Sequence, residues 1–237
     1  MGVESSALQT LSERFENVRE RLTQAAERAN RSSNDIRLIA ISKTHPDAVL
    51  RSAIEAGVND LGENRVQEAD AKIEEIGREA VRWHLVGHLQ TNKARRAVEL
   101  FDVIHSVDSV SLIQRLERLC EETGRAELPI LVQVDLAGEQ SKSGVDSAEL
   151  PSLLTKIKEC RRVQLIGLMT LPPFFEDPEC TRPFFKALRD LRDDLKAQDH
   201  FKGPGQLSMG MSHDFEIAIE EGATMVRVGT AIFGERN

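Results

Sequence analysis

The chain has 237 residues, of which 40% are apolar and 30% are charged, and this is the composition of a folded globular protein with a substantial core. Its formal net charge of −8 excludes the basic surface typical of nucleic-acid-binding proteins, but leaves room for a local site for small anions. The three cysteines form no CxxC pair, and neither a secretory leader nor an apolar span of roughly 20 residues is visible, so we expect a cytoplasmic protein without membrane segments.

The predicted elements begin with an amphipathic helix over residues 8–29, and a short apolar run followed by a helical pattern then recurs along the chain. The predicted strands are 36–41, 58–61, 83–86, 101–105, 129–134, 163–168, 206–209 and 225–228. The predicted helices between them are 46–56, 64–77, 91–98, 109–123, 147–160, 178–197 and 213–221. Such an α/β alternation predicts a single (β/α)8 TIM-type barrel domain over residues 1–237 with an extra N-terminal helix. A doubly wound open sheet is the alternative.

Small and polar residues concentrate just after the predicted strands, at the end where such barrels carry their functional residues. Lys43 follows the first strand directly, so its amine is expected in the barrel mouth. Desolvation there favours the neutral form of an amine, and a neutral amine is what formation of a Schiff base requires. The alternative for Lys43 is an ordinary side chain that extends into solvent.

The segments after the seventh and eighth strands together predict a site for an anion. Ser208 and Ser212 supply hydroxyls, and Gly229-Thr230 combines close backbone approach with another hydroxyl. TIM barrels often hold a phosphate at these two loops. Ordinary turn glycines and a helix cap at Ser212 are the alternatives. Arg227 lies inside the eighth strand, where it needs an acceptor such as a structural carboxylate or the ring nitrogen of a cofactor.

Other sites are not predicted. The sequence contains no Walker A or GxGxxG pattern, which argues against a nucleotide-binding loop. His84 and His88 are four residues apart but straddle a strand end, so no metal site is expected there.

Seven stretches of the sequence resemble the pyridoxal phosphate homeostasis proteins, which are relatives of the alanine racemase N-terminal barrel. They are AISKTHP (40–46), LGENRVQE (61–68), WHLVGHLQTNKAR (83–95), SKSGV (141–145), GLMTLPP (167–173), LSMGMSHDFEIAI (207–219) and VRVGTAIFGER (226–236). The resemblance implies that Lys43 holds pyridoxal 5′-phosphate (PLP) as a Schiff base. The other implied contacts are Ser208, Gly229 and Thr230 to the phosphate, Arg227 to the pyridine nitrogen, and Asn64 and Met209 as near neighbours.

The resemblance also implies a function in intracellular PLP (vitamin B6) homeostasis, in which the protein holds and transfers the cofactor. Apo-forms of PLP-dependent enzymes are the candidate partners, and a monomer or weak homodimer without robust catalytic activity is expected. An arginine at the ring nitrogen makes the ring a weaker electron sink than a carboxylate does. The chain ends at Asn237, soon after the eighth strand, and contains no tyrosine, so we expect neither the tyrosine base nor the C-terminal β-domain of alanine racemases. A PLP-dependent amino-acid enzyme with Lys43 as its single base and a class I aldolase-like barrel stay open as alternatives.

Overall fold

The computed structural model describes residues 10–138 and 144–235, in which eight parallel strands close into a barrel in sequence order. The strands are β1 (Arg37–Ile41), β2 (Asp60–Glu63), β3 (Arg82–Leu85), β4 (Val103–Val107), β5 (Leu128–Gln133), β6 (Val163–Met169), β7 (Gln206–Ser208) and β8 (Met225–Val228). The last strand pairs with the first, with Arg227 opposite Ile39, so the sheet has no open edge. The predicted (β/α)8 barrel is confirmed, and the open sheet is wrong.

Helices surround the barrel in the part of the chain that the structure describes. They are α1 (Leu11–Arg28), α2 (Asp47–Glu55), α3 (Val66–Ile76), α4 (Ala94–Leu100), α5 (Val110–Thr123), α6 (Leu150–Lys158), α7 (Arg182–Ala197), α8 (Phe215–Glu220) and α9 (Thr230–Phe233). Short 3-10 turns precede α4 and α7, where the sequence predicts continuous helix. None of these described helices has the length and apolar composition needed to cross a bilayer.

The predicted N-terminal helix is present as α1 and packs against α8, α9 and α2. Thr10 and Glu13 form a capping box at its start, which fixes where the helix begins. Its buried face includes Phe15, Val18 and Leu22. Arg14 Nε donates to Ile232 O at 2.8 Å, and Arg21 pairs with Glu216, so α1 is tied to α9 and α8. Leu8, the first apolar position of the predicted helix, lies outside the described residues.

Two strands begin two residues later than predicted. The second runs over 60–63 instead of 58–61, and the fourth over 103–107 instead of 101–105. Both predicted runs began with a buried apolar residue that precedes the strand, Val58 or Phe101. Each strand also contains a buried polar residue, Asp60 in β2 and His105 in β4. Each of these polar residues has hydrogen-bond partners inside the barrel, as buried polar groups require.

Alternate residues of each strand face the inside of the barrel. Ile39 and Ile41 of β1 belong to an interior cluster with Val86, Val103, Leu131, Met169 and Met225. Gly62 makes room for them, because a Cβ at this position would lie 2.5 Å from Ile41 Cδ1. Lys43 is two residues beyond Ile41 and therefore continues the inward-facing row at the C-terminal end of the barrel.

Candidate functional site

Two adjoining cavities of about 220 and 370 Å³ open at the C-terminal ends of the strands. Ile41, Lys43, Met211 and Arg227 line both, so the cavities meet along this boundary. The smaller one is also lined by His45, Ser212, His213, Gly229, Thr230 and Gly234. The larger one is also lined by Asn64, Val86, Gly87, His88, Gln133 and Leu171.

The structure brings together most, but not all, of the predicted site residues. The cavity walls include Lys43, Asn64, Arg227, Gly229 and Thr230. Ser208 and Met209 have no exposed surface and lie below the cavities within the packed barrel. Of the SKSGV stretch, Ser141, Lys142 and Ser143 lie outside the described residues.

A larger depression of about 650 Å³ lies at the opposite end of the barrel, between α1 and the N-terminal ends of the strands. Its wall includes Arg19, Arg37 and Asp60 and contains no lysine. Since it offers no amine for a carbonyl ligand, the candidate site is the pair of cavities around Lys43.

The backbone on both sides of Lys43 is held by a buried lysine, Lys72 of α3. Its Nζ donates to Ser42 O at 2.7 Å, to Glu63 Oε1 at 2.7 Å and to Glu68 Oε1 at 2.8 Å, so all three of its N–H bonds are used. Glu68 in turn accepts from the Thr44 backbone N–H. We refer to Glu63, Glu68 and Lys72 as the Lys72 cluster.

The Lys72 cluster fixes a strained piece of backbone. Thr44 has φ of 68°, in the left-handed region that a β-branched residue rarely adopts. Burial raises the pKa of Glu63, and the charge of Lys72 and the Ser42 hydroxyl bond only partly offset this. Glu63 Oε2 is buried without a hydrogen-bond partner among the described residues. The sequence analysis missed this cluster, although the four-residue spacing of Glu68 and Lys72 on α3 is a visible signal.

Asn64 follows β2 and reaches the larger cavity beside a close backbone crossing. A Cβ at Gly87 would lie 2.2 Å from Asn64 O, so only glycine fits there. The Ser106 hydroxyl donates to Gly87 O at 2.6 Å and holds this crossing from the β4 side. The position of Asn64 is therefore set by the loops after β2 and β3 and by the end of β4.

Arg227 is almost fully buried at the boundary between the two cavities. Its Nη1 donates to Ser208 Oγ at 2.6 Å, and its Nη2 donates to Thr170 O at 2.9 Å. Burial lowers the pKa of Arg227 to about 10, and the charge of Asp214 opposes this shift only in part. The guanidinium is therefore still protonated at neutral pH, with a hydroxyl and a carbonyl as its acceptors.

Below Arg227, a line of polar side chains crosses the inside of the barrel. His105 Nδ1 lies 2.9 Å from Ser208 Oγ, His105 Nε2 lies 2.9 Å from His84 Nδ1, and His84 Nε2 lies 2.9 Å from Asp60 Oδ1. Arg37 Nη1 donates to the same Asp60 oxygen at 2.8 Å. These two histidines are 21 residues apart in the sequence, and its hydrophobic pattern does not pair them.

Burial of the two imidazoles predicts that the protein loses stability in mild acid. Burial lowers the pKa of His84 despite the Asp60 carboxylate, and burial together with the cationic neighbours places the pKa of His105 well below its ordinary range. The unfolded chain binds protons on both near pH 6.5, whereas the folded barrel excludes them. The free energy of unfolding should therefore fall between pH 7 and 5, by up to about 1.4 kcal/mol per pH unit for each histidine.

Urea unfolding at several pH values measures this slope. His105→Gln should flatten it by up to one proton's contribution, while His213→Gln, which changes an exposed histidine, should leave it unchanged. Equal slopes for wild type and His105→Gln would contradict the assignment.

The loops after β7 and β8 are joined by Ser212. Its Oγ accepts from Gly229 N at 3.2 Å and from Ala231 N at 3.4 Å. The alternative that Ser212 caps the following helix is wrong, because that helix begins at Phe215 and Asp214 accepts from Met211 N. A Cβ on Gly229 would lie 3.4 Å from Ile41 Cβ, so the turn at the cavity wall is closely packed.

The residues that line the two cavities favour the binding of an anion, although the chain as a whole has a negative net charge. The side chains that line the two cavities in the described residues include Lys43 and Arg227 and contain no carboxylate. Thr230 and Ser212 add hydroxyls at the smaller cavity. An amine, a guanidinium and hydroxyls around about 220 and 370 Å³ fit a small anionic carbonyl compound.

Comparison with known proteins identifies relatives that are similar to this chain in sequence. The profile of the family "Alanine racemase, N-terminal domain" matches residues 14–237. The pyridoxal phosphate homeostasis protein of Aquifex aeolicus is 43% identical, over 94% of this chain and 97% of the relative. The protein of the same name from Escherichia coli is 40% identical, over 93% of this chain and 94% of the relative.

Comparison with solved structures identifies proteins with a similar fold. PipY of Synechococcus elongatus with PLP bound superposes with a TM-score of 0.84 at 40% identity, covering 95% of this chain and 100% of PipY. Alanine racemase from Corynebacterium glutamicum has a TM-score of 0.66 at 15% identity and covers 94% of this chain but 61% of the racemase. This second likeness concerns the fold alone.

Proposed function

Because the chain belongs to the alanine racemase N-terminal domain family and, within it, to the pyridoxal phosphate homeostasis proteins, we propose that it binds PLP as a Schiff base on Lys43. The single observation that carries this proposal is the position of Lys43 on the boundary of two cavities that contain no carboxylate among their described lining residues. When bound, PLP supplies an aldehyde that condenses with an amine and loses water. Lys43 supplies that amine.

The hydrogen-bonding and charged groups of the two cavities fit both the phosphate and the pyridine ring of PLP. The smaller cavity, with Gly229, Thr230 and Ser212, would hold the phosphate, and the basic groups at the shared boundary would balance its charge. Arg227 would face the pyridine ring from the same boundary, and Asn64 would contact it from the larger cavity. A guanidinium that stays protonated at neutral pH donates to the ring nitrogen and leaves that nitrogen without a proton.

Two predicted contacts take a different role in this proposal. Ser208 has its hydroxyl engaged by Arg227 and His105 inside the barrel, so we assign it to positioning Arg227 in place of the phosphate contact. Met209 has no exposed surface, and we assign it to packing beneath the loop after β7.

The relatives' names support a place in PLP homeostasis, in which the protein holds the cofactor and passes it to apo-forms of PLP-dependent enzymes. We place this function in the cytoplasm, where unpaired thiols such as Cys120, Cys160 and Cys180 persist. A monomer or weak homodimer suits a carrier whose binding site lies within one barrel.

The test is to load the purified protein with PLP, reduce it with borohydride and map the modified lysine by mass spectrometry. We expect one reduced PLP adduct, on the peptide that contains Lys43. A protein that takes up no PLP, or an adduct confined to other lysines, would overturn the proposal. Trapping that occurs only with an added sugar phosphate would favour the aldolase-like alternative.

A PLP-dependent amino-acid enzyme is the second candidate, and one observation favours it. His88 lines the larger cavity, and its Nδ1 lies 3.3 Å from Asp108 Oδ2, so a group able to accept protons stands near Lys43. Turnover of one amino acid by the loaded protein that is lost in His88→Gln would establish this candidate. Absence of turnover across the amino acids would leave the carrier function.

A further inference from the structure

Five side chains form a continuous hydrogen-bonded path through the inside of the barrel, from its N-terminal end to the candidate site. In order they are Asp60, His84, His105, Ser208 and Arg227, with successive atoms 2.9, 2.9, 2.9 and 2.6 Å apart. His84, His105 and Ser208 have no exposed surface. These three side chains are therefore shielded from hydrogen bonding with solvent.

The two ends of the path determine the direction of every hydrogen bond in it. Arg227 can only donate, so Ser208 Oγ accepts from it and keeps its own proton available for His105 Nδ1. At the other end, His84 and Arg37 hold the pKa of Asp60 below its ordinary range although burial alone would raise it, so Asp60 is an ionised acceptor. His84 therefore donates from Nε2, and its Nδ1 accepts from His105 Nε2.

This arrangement is consistent at each step, because burial keeps both imidazoles neutral and each then has one donor and one acceptor. The geometry points to a positioning relay in which Asp60, His84 and His105 act through Ser208 to orient Arg227 toward the candidate site. The effect of the relay on ligand binding rests on the proposed PLP function. The direction of the hydrogen bonds along the relay does not depend on it.

The relay has a definite physical consequence for Arg227. Its acceptors are a hydroxyl and the Thr170 carbonyl, and a hydroxyl oxygen accepts more strongly when it donates its own proton to another acceptor. His105 is that acceptor, but only while its Nδ1 is unprotonated. Asp60 maintains this tautomer from the far end, where it lines the depression at the N-terminal face of the barrel.

The first test uses the ligand-free protein and measures the histidine tautomers by long-range proton–nitrogen NMR. We expect both His84 and His105 to carry their proton on Nε2. A proton on Nδ1 of either residue would overturn the relay, because the path would then be interrupted at that imidazole. This outcome is independent of whether PLP binds.

The second test compares His84→Leu with His200→Leu in PLP-loaded protein. Neither histidine lines either cavity, and His200, a half-buried residue that follows α7, takes no part in the relay. His84→Leu should weaken PLP binding about tenfold, as expected for one charged hydrogen bond, and shift the visible absorption in the same direction as Ser208→Ala.

His200→Leu should leave the absorption spectrum unchanged. A His84→Leu protein that is destabilised yet keeps the wild-type spectrum and affinity would reduce His84 to a structural residue and overturn the proposal. If wild type itself takes up no PLP, the proposed function fails, and the tautomer measurement still decides the relay.

Discussion

Replacing Lys43 with alanine is expected to abolish the PLP adduct that borohydride fixes and to weaken PLP binding at least tenfold, which is about 1.4 kcal/mol. The physical reason is that the side chain supplies the only covalent attachment in the proposed site, while Arg227 and the hydroxyls of the smaller cavity remain. Residual binding should therefore be reversible and lost on dialysis. Equilibrium dialysis and intact mass after reduction measure the two effects.

Two further variants separate covalent attachment from charge. Lys43→Arg keeps a cation at the boundary of the cavities but cannot form a Schiff base, so it should lack the adduct and retain part of the reversible affinity. Lys202→Ala removes an exposed lysine that pairs with Glu127 and should behave as wild type. Full adduct formation in Lys43→Ala would show that another lysine carries the cofactor.

Replacing Lys72 with methionine is expected to lower the free energy of unfolding by about 3–5 kcal/mol, the usual cost of removing one partner from a buried ion pair. The variant leaves the fully buried Glu63 carboxylate with only the Ser42 hydroxyl, and it releases Ser42 O and Glu68. Because these groups hold the backbone around Lys43, PLP binding should weaken as well. Urea unfolding measures the stability, and dialysis measures the binding.

The matched control is Lys156→Met, which removes the lysine from an exposed pair with Glu159 and should change little. The double variant Lys72→Met/Glu63→Gln removes the uncompensated charge and should be more stable than Lys72→Met alone. If Lys72→Met were no more destabilising than Lys156→Met, the Lys72 cluster would not be what fixes the Lys43 segment.

The barrel was predictable from sequence because its strands and helices alternate in hydrophobic pattern, and the resemblance to the family is confirmed over nearly the whole chain. Lys43 and Gly229 were found because residues that directly follow strands of a barrel converge at one end. The strand starts at Asp60 and Val103 were predicted two residues too early, because Val58 and Phe101 precede the strands but are also buried. An apolar pattern reports burial, whereas a strand is defined by its backbone pairing.

The predicted role of Ser208 in the candidate site shows that a single sequence does not reveal contacts between distant positions. From sequence, a serine at the end of β7 and next to a phosphate loop favours a phosphate contact. The structure turns its hydroxyl inward to His105, which is 103 residues away in sequence. Single-sequence reasoning has no access to that distance, because hydrophobic periodicity places a residue on a face of the barrel without pairing it across the interior. The Lys72 cluster was missed although Glu68 and Lys72 are four residues apart on α3, because the bonds of Lys72 to Ser42 and Glu63 join different elements.

The packing of α1 against α8 and α9 also sets an order for events on the ribosome. Arg14 and Ile232 are 218 positions apart, and Arg21 and Glu216 are 195 positions apart, so α1 gains these partners only after α8 and α9 have been made. Until then the nascent chain presents the apolar face around Phe15 and Leu22 without its native neighbours. Contacts of such long sequence separation slow folding. The barrel therefore closes only after β8, which pairs with β1, has been made.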